Sequence, residues 1–171
     1  MSGAEDVRRR ARRIFAIGAA LAGALAMALP APADQDRPLP RFVSLRSDEI
    51  NLRTGPGTNY PVEWVYTRRR MPVEVTAEFE NWRKIRDWKG TEGWVHQSMI
   101  DGRRTALVVG GIRVLRLAAA DESGPVARVE PGVIGLILEC NPDWCRIEVD
   151  GYLGWLRRDA FHGVYPDERI E

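Results

Sequence analysis

Apolar and polar residues alternate along most of this chain in short runs, and the runs are broken by turn-forming residues about every ten positions. Residues 41–45 begin a strand that breaks near Ser47-Asp48, and Ile50 to Arg53 continue it. Val62 to Tyr66 follow, closed by the polar turn Thr67-Arg68-Arg69-Arg70. In Met71 to Ala77, Val73, Val75 and Ala77 alternate with Glu74 and Thr76, the period-two mark of a half-buried strand. Glu80-Asn81 turns the chain into residues 82–88, and Lys89-Gly90-Thr91 turns it into Gly93-Trp94-Val95-His96. Helical periodicity is absent from this region, so the pattern predicts an all-β fold.

Between two of these strands lies Thr54-Gly55-Pro56-Gly57-Thr58-Asn59-Tyr60-Pro61. Glycine reaches backbone angles that other residues resist, and proline fixes φ, so the composition predicts a shaped loop.

The plan then recurs. Val114-Leu115-Arg116 echoes Asn51-Leu52-Arg53, and Pro125-Val126 echoes Pro61-Val62. Trp144-Cys145-Arg146-Ile147 echoes Trp82-Arg83-Lys84-Ile85, and Gly154-Trp155-Leu156 echoes Gly93-Trp94-Val95. The offset stays between 61 and 64 residues, which implies two copies of one unit. We place the copies at 41–104 and 105–165, after a polar, proline-bearing linker at 34–40 and before a tail at 166–171. The connection at 101–105 is too short for independent tumbling, so the copies should lie against each other. The second copy lacks the first one's paired glycines, reading Leu117-Ala118-Ala119-Ala120-Asp121-Glu122-Ser123-Gly124. The first copy lacks cysteines, whose places fall to Glu78 and Arg83. An ion pair there conflicts with simple strand alternation unless a bulge intervenes.

Charge changes the picture at the N-terminus. Residues 1–33 carry five arginines against Glu5 and Asp6, leaving 20 basic against 22 acidic residues in the remainder. That balance excludes a general affinity for nucleic acid. A basic segment ending at Arg12-Arg13, an apolar run from Ile14 to Leu29 and Ala31-Pro32-Ala33 together read as an export signal with a cleavage site. The apolar run is shorter than the roughly 20 residues a membrane-spanning helix needs, which favours cleavage over a retained anchor. Arg12-Arg13-Ile14-Phe15 also fits a twin-arginine signal, while the basic run equally suits the general route. The mature chain is expected to start near Asp34, outside the cytoplasm, without stable membrane insertion. The first copy holds 12 basic and 9 acidic residues, and 105–171 hold 7 and 11. Such opposed charges either favour packing of the copies or are simply solvated, the commoner case.

Export decides how Cys140 and Cys145 read. They enclose Asn141-Pro142-Asp143-Trp144, a hairpin loop whose length brings its flanks within disulfide reach. A metal site would need further ligands, and the chain has only His96 and His162. The spacing is not the C-x-x-C of redox pairs. A structural disulfide is expected.

The order N-L-R-x-G-P-G, then W-x-x-I, then G-W-V-H resembles the bacterial Src-homology-3 (SH3) domains of exported proteins, over roughly 41–165. C-N-P-D-W-C followed by G-Y-L-G-W-L is similar to the family's disulfide-bearing variant. The resemblance implies two five- or six-stranded barrels, each with a ligand groove between the loop at the place of the Gly/Pro stretch and the next long turn. It places Trp82, and Trp144 in the second copy, in the groove. His96 and Met99 stand where peptide-binding members carry Pro and Tyr, and Arg157 and Ala160 stand there in the second copy. These departures, with the missing tyrosine-rich opening motif, point away from proline-rich ligands.

Six tryptophans suggest stacking on a ligand, but tryptophans also fill small barrel cores. Trp94 and Trp155, recurring beside glycine, are expected inside; Trp82 and Trp144, opposite Ile85 and Ile147, are expected part-exposed. No Ser/His/Asp or Cys/His constellation or carboxylate pair is apparent, so neither an enzyme nor a cofactor or metal is expected. The expectation is a binding protein of the cell envelope, recognising a cell-wall glycan or peptide or an envelope protein around Tyr60, Trp82, His96 and Met99. The alternative is a structural protein that self-associates as a homo-oligomer without a small ligand.

Overall fold

A computed structural model describes residues 37–171; the export signal and its cleavage site lie outside the described residues. The described chain is all-β, apart from short 3-10 turns at Gln97–Met99 and Arg158–Ala160. The first copy contributes β1 (Arg41–Leu45), β2 (Ile50–Arg53), β3 (Val62–Tyr66), β4 (Pro72–Phe79), β5 (Trp82–Arg86), β6 (Glu92–His96) and β7 (Ile100–Asp101). The second contributes β8 (Thr105–Val108), β9 (Arg113–Arg116), β10 (Pro125–Val129), β11 (Ile134–Cys140), β12 (Trp144–Val149), β13 (Tyr152–Arg157) and β14 (Phe161–His162). Among the described residues no helix is long and apolar enough to cross a membrane.

The two sheets share one topology. The first runs β3-β2-β6-β5-β4-β1-β7 and the second β10-β9-β13-β12-β11-β8-β14, the same order displaced by seven strands. Each sheet therefore has seven strands rather than five or six. The extra ones are the long hairpin's two arms, counted separately, and a two-residue strand after each 3-10 turn.

Each copy closes on its own core. Leu52, Val73, Val75, Ile85 and Val95 are fully buried in the first, and Leu115, Ile137, Ile147 and Leu156 are buried in the second. The recurrent Gly-Trp pair works the other way round from the expectation that its tryptophan is internal. Gly93 and Gly154 face inward, where a Cβ on Gly93 would stand 2.5 Å from Leu52 Cγ and one on Gly154 3.0 Å from Leu115 Cβ. Trp94 and Trp155 lie on the opposite face and are only part-buried. The glycine recurs because a leucine packs against its bare Cα.

The copies touch through rings and main chain. Phe42 lies edge-on to His162, with centroids 5.0 Å apart, and 4.8 Å from the Tyr165 ring. Thr105 Oγ1 donates to the Arg70 carbonyl (2.8 Å), and the Tyr165 hydroxyl donates to Glu74 Oε1 (2.7 Å). Burial and the Glu74 carboxylate both push the Tyr165 phenol up. Arg104 Nη2 donates to Glu168 Oε2 (2.9 Å), an ion pair reaching from the connection to the C-terminal segment. That segment is held in place: Arg158 donates to the Tyr165 carbonyl (2.7 Å), and Cys140 N donates to the Ile170 carbonyl (2.8 Å).

Candidate functional site

Trp82 opens β5, and its register partner across the sheet is His96, the last residue of β6. Their rings meet edge to face with centroids 5.6 Å apart, a favoured aromatic geometry. His96 is fixed from behind by the 3-10 turn it caps. Ser98 N donates to His96 Nδ1 (3.3 Å), and the Ser98 hydroxyl lies 2.7 Å from the same nitrogen. With Nδ1 accepting, the neutral ring carries its proton on Nε2, as a donor. Trp82 is part-buried, leaving some of the indole open to solvent.

Behind Trp82 a buried guanidinium ties the site together. Arg83 has no exposed surface. Its Nη1 donates to the carbonyls of Glu80 (2.8 Å) and Trp82 (3.0 Å), and its Nη2 donates to Gln97 Oε1 (2.8 Å). Its Nε pairs with Glu78 Oε1 at 3.2 Å, and Glu78 also pairs with Arg41 at 2.6 Å. Gln97 completes the brace, donating from its side chain to Asn81 Oδ1 (3.0 Å) and from its backbone to the Asn81 carbonyl (2.8 Å). The turn before Trp82 and the turn after His96 are thus bonded to one charged group. Glu80 sits at φ 48°, a left-handed position held by this network.

The loop after β2 is built around Tyr60. A Cβ on Gly55 would fall 2.4 Å from the Tyr60 ring, so the glycine makes room for the phenol. Arg53 Nη1 donates to the carbonyls of Tyr60 (2.7 Å) and Thr58 (3.1 Å), and Thr54 N donates to the Pro61 carbonyl (3.1 Å). Tyr60 remains 41% exposed. Met99 is part-buried against the first core. The geometry therefore brings Trp82 and His96 into contact, while Tyr60 stands on the loop and Met99 packs against the first core.

The second copy closes the equivalent place. Trp144 pairs in register with Arg157, as Trp82 does with His96. The Arg157 guanidinium lies 4.7 Å from the Trp144 ring centroid and is held by Asp121 from the long loop, Nε to Oδ1 at 2.9 Å. A hydrogen bond from Arg157 holds the Asp121 carboxyl below its usual range, although desolvation opposes this. Trp144 is consequently 6% exposed and not part-exposed as alternation suggests. The neighbouring Cys140 and Cys145 are bonded to each other, with Cα atoms 4.1 Å apart. Among the described residues no group of three or more His, Cys, Asp or Glu could hold a metal ion.

Sequence reasoning passed over a cleft of about 530 Å³ between the copies, lined by Trp64, Arg68, Trp88 and Lys89 of the first and by residues 107–110 of the second. Its signal was available: Trp64 and Val65 are adjacent apolar residues in a strand that should alternate, so one of them had to face out.

The family model for the bacterial SH3 domain matches residues 46–102 and again 109–163. No curated protein matches the chain. Solved structures similar to it include NlpC2 of Trichomonas vaginalis, at 14% identity over 73% of this chain and 48% of that one, with a TM-score of 0.34. NlpC1 of the same organism matches at 13% identity over 81% of this chain and 51% of that one, also at 0.34. An NlpC/P60 family protein from Bacillus cereus matches at 12% identity over 71% and 55%, at 0.33. The chain spans about half the length of these proteins. Two matches to one family model, each falling on one seven-stranded sheet, make the chain a member of the bacterial SH3 domain family that carries the domain in tandem.

Proposed function

We propose that this protein is an exported, non-catalytic binding module of the cell envelope. It recognises a cell-wall component, a glycan or peptide of peptidoglycan, or an envelope protein, through the groove of its first domain. The observation that carries this reading is the contrast between the two groove tryptophans. Trp82 is part-exposed on a frame braced by a buried arginine, whereas Trp144 is covered by Arg157. A partly open aromatic face held on a stiff frame binds with little ordering entropy to lose. The Nε2 proton of His96 and the Tyr60 phenol add polar contacts at its margins. The bonded cysteines support residence in an oxidising compartment, as does the arrangement of basic, apolar and small residues before Asp34.

The test is retention of the oxidised protein on purified peptidoglycan, for the wild type and for Trp82→Ala. Unchanged circular dichroism and melting would show that the variant still folds. Retention that is lost in Trp82→Ala and kept in Trp88→Ala supports the reading. Retention indifferent to Trp82, or none together with a stable homo-oligomer in solution, overturns it in favour of a structural role.

A further inference from the structure

The cleft between the two domains has walls of a particular kind. One is lined by the consecutive residues 64–68 and the other by the consecutive residues 107–110. Side chains of a strand alternate between faces, so the unbroken runs 64–66 of β3 and 107–108 of β8 bring main chain as well as side chains to the walls. The first wall is the end of β3, residues 64–66, with the two residues that follow it, and β3 is an edge of its sheet. Alternate N–H and C=O groups of an edge strand point away from its one neighbour, here β2. β3 also exposes apolar residues on both faces, with Val62, Trp64 and Val65 at 42%, 56% and 40%. Trp88, on the turn after β5, lines the same cleft and is 44% exposed.

The charge of the lining is one-sided. Asp87 is its one carboxylate, and that group is buried and occupied. Its Oδ2 accepts from the Tyr66 hydroxyl (3.2 Å), and its Oδ1 accepts from the backbone N–H groups of Lys89 and Thr91, both at 2.9 Å. The cations face solvent. The Lys89 ammonium stands 5.1 Å from the Trp88 ring centroid, and Arg68 crosses to the second domain, donating to the Gly132 carbonyl at 2.6 Å while remaining exposed. Gly132 permits that crossing: a Cβ there would stand 3.3 Å from Arg68 Nη1, at a φ of +88°.

We propose that this cleft is a second binding site, separate from the Trp82 groove, for an extended acidic peptide segment that adds to β3 as a strand. Its backbone pairs with the free edge of β3, its apolar side chains rest on Trp64 and Trp88, and its carboxylates meet Arg68 and Lys89. Main-chain pairing supplies affinity in this mode and the flanking side chains supply selectivity. A saccharide fits the lining less well. Sugar hydroxyls donate as well as accept, and with Asp87 occupied and Tyr66 bonded to it the lining offers them Thr67 as a side-chain acceptor.

The test probes the full-length, oxidised protein with a positional-scanning library of acetylated, amidated octapeptides. Selected peptides should alternate Asp or Glu with apolar residues. Binding of a selected peptide should fall by about tenfold in Lys89→Glu and further in Arg68→Glu/Lys89→Glu, as for charge pairs across an interface. N-methylation of alternate peptide amides should abolish it, and Trp82→Ala should leave it unchanged. Because Arg68 also touches the second domain, Lys89→Glu and Trp64→Ala carry the test if the double variant melts early. Selection of no acidic motif, binding that survives Lys89→Glu and Trp64→Ala, or binding lost only with Trp82→Ala would each overturn the proposal. A homo-oligomer that Trp64→Ala dissolves, with no peptide selected, would give the cleft to a second copy of the chain instead. Failure here leaves the Trp82 reading standing, since peptidoglycan retention is measured on a different residue.

Discussion

Glu78 and Arg83 face each other across β4 and β5 at the register position that Cys140 and Cys145 hold across β11 and β12. Four residues separate the partners in both copies, and both strands carry a register shift just before the pair, between Val75 and Ala77 and between Ile137 and Glu139. The shift lets Glu78 meet Arg83 although alternation alone sets them on opposite faces. One domain thus closes this hairpin with charge and the other with a covalent bond. The charged version does more, because Arg83 also bonds the carbonyls of Glu80 and Trp82 and the side chain of Gln97.

Arg83→Met is therefore expected to destabilise the first domain by about 3 kcal/mol, the lower end of what removing one member of a buried ion pair costs, because Arg41 still partners Glu78. Urea unfolding followed by Trp82 fluorescence measures it. The double variant Glu78→Cys/Arg83→Cys should form a second disulfide on oxidation, leaving no thiol titratable in denaturant. Two titratable thiols would show that the two hairpins do not share a backbone geometry.

Cys140→Ser/Cys145→Ser is expected to destabilise the second domain by about 2 kcal/mol, the loop-closure value for so short a ring. The first domain's unfolding midpoint should move less than the second's. Equal shifts in both would show that the rings and hydrogen bonds around Phe42, His162 and Tyr165 make the pair a single cooperative unit.

Gly93→Ala and Trp94→Ala should separate sharply. The first drives a methyl into the Leu52 side chain and is expected to cost about 1–3 kcal/mol, the range for overpacking a core. The second removes a part-buried side chain from the outer face and should cost less. Thermal melts of the two variants decide the order, and the reverse order would put Trp94 back in the core.

That reversal illustrates what could be read from sequence. The all-β class and the tandem organisation followed from period-two alternation and the repeat, because both are properties of consecutive residues. Which member of Gly-Trp faces inward did not follow, since burial of a large aromatic outweighs an empty glycine on any hydrophobicity scale. The collision with Leu52 becomes visible only once β2 and β6 are neighbours. Trp82 was correctly expected to be part-exposed. Trp144 was not, because its cover is Arg157, held in place by Asp121, which is distant in sequence. The cleft beside Trp64 needed both domains in place before it existed.

The domain contact carries a pH dependence through His162. Burial pushes its imidazole pKa down, the nearby Arg86 pushes it the same way, and Glu74 and Asp87 oppose them. A depressed pKa means that the folded state favours the neutral ring. The stabilisation is then present above the unfolded value of about 6.5 and is lost as pH falls through the lower folded value. The difference in stability between the wild type and His162→Gln should change over that interval, in urea titrations at successive pH values. A difference constant from pH 7 to pH 5 would show that His162 does not titrate at the contact.

Arg157 covers Trp144 by stacking, and Asp121 holds it there, yet both charged groups are exposed. Water and salt screen such an exposed pair, so the cover is light. Arg157→Ala should expose the Trp144 indole, raising the acrylamide quenching of a protein whose other tryptophans are replaced by phenylalanine. Asp121→Ala should raise it less, because the guanidinium keeps its stacking contact after losing its clamp. If Arg157→Ala also confers retention on peptidoglycan in a Trp82→Ala background, the two grooves share a ligand and differ only in this cover. If Trp144 becomes accessible and retention stays absent, the difference between His96 and Arg157 at the register position opposite the tryptophan selects the ligand.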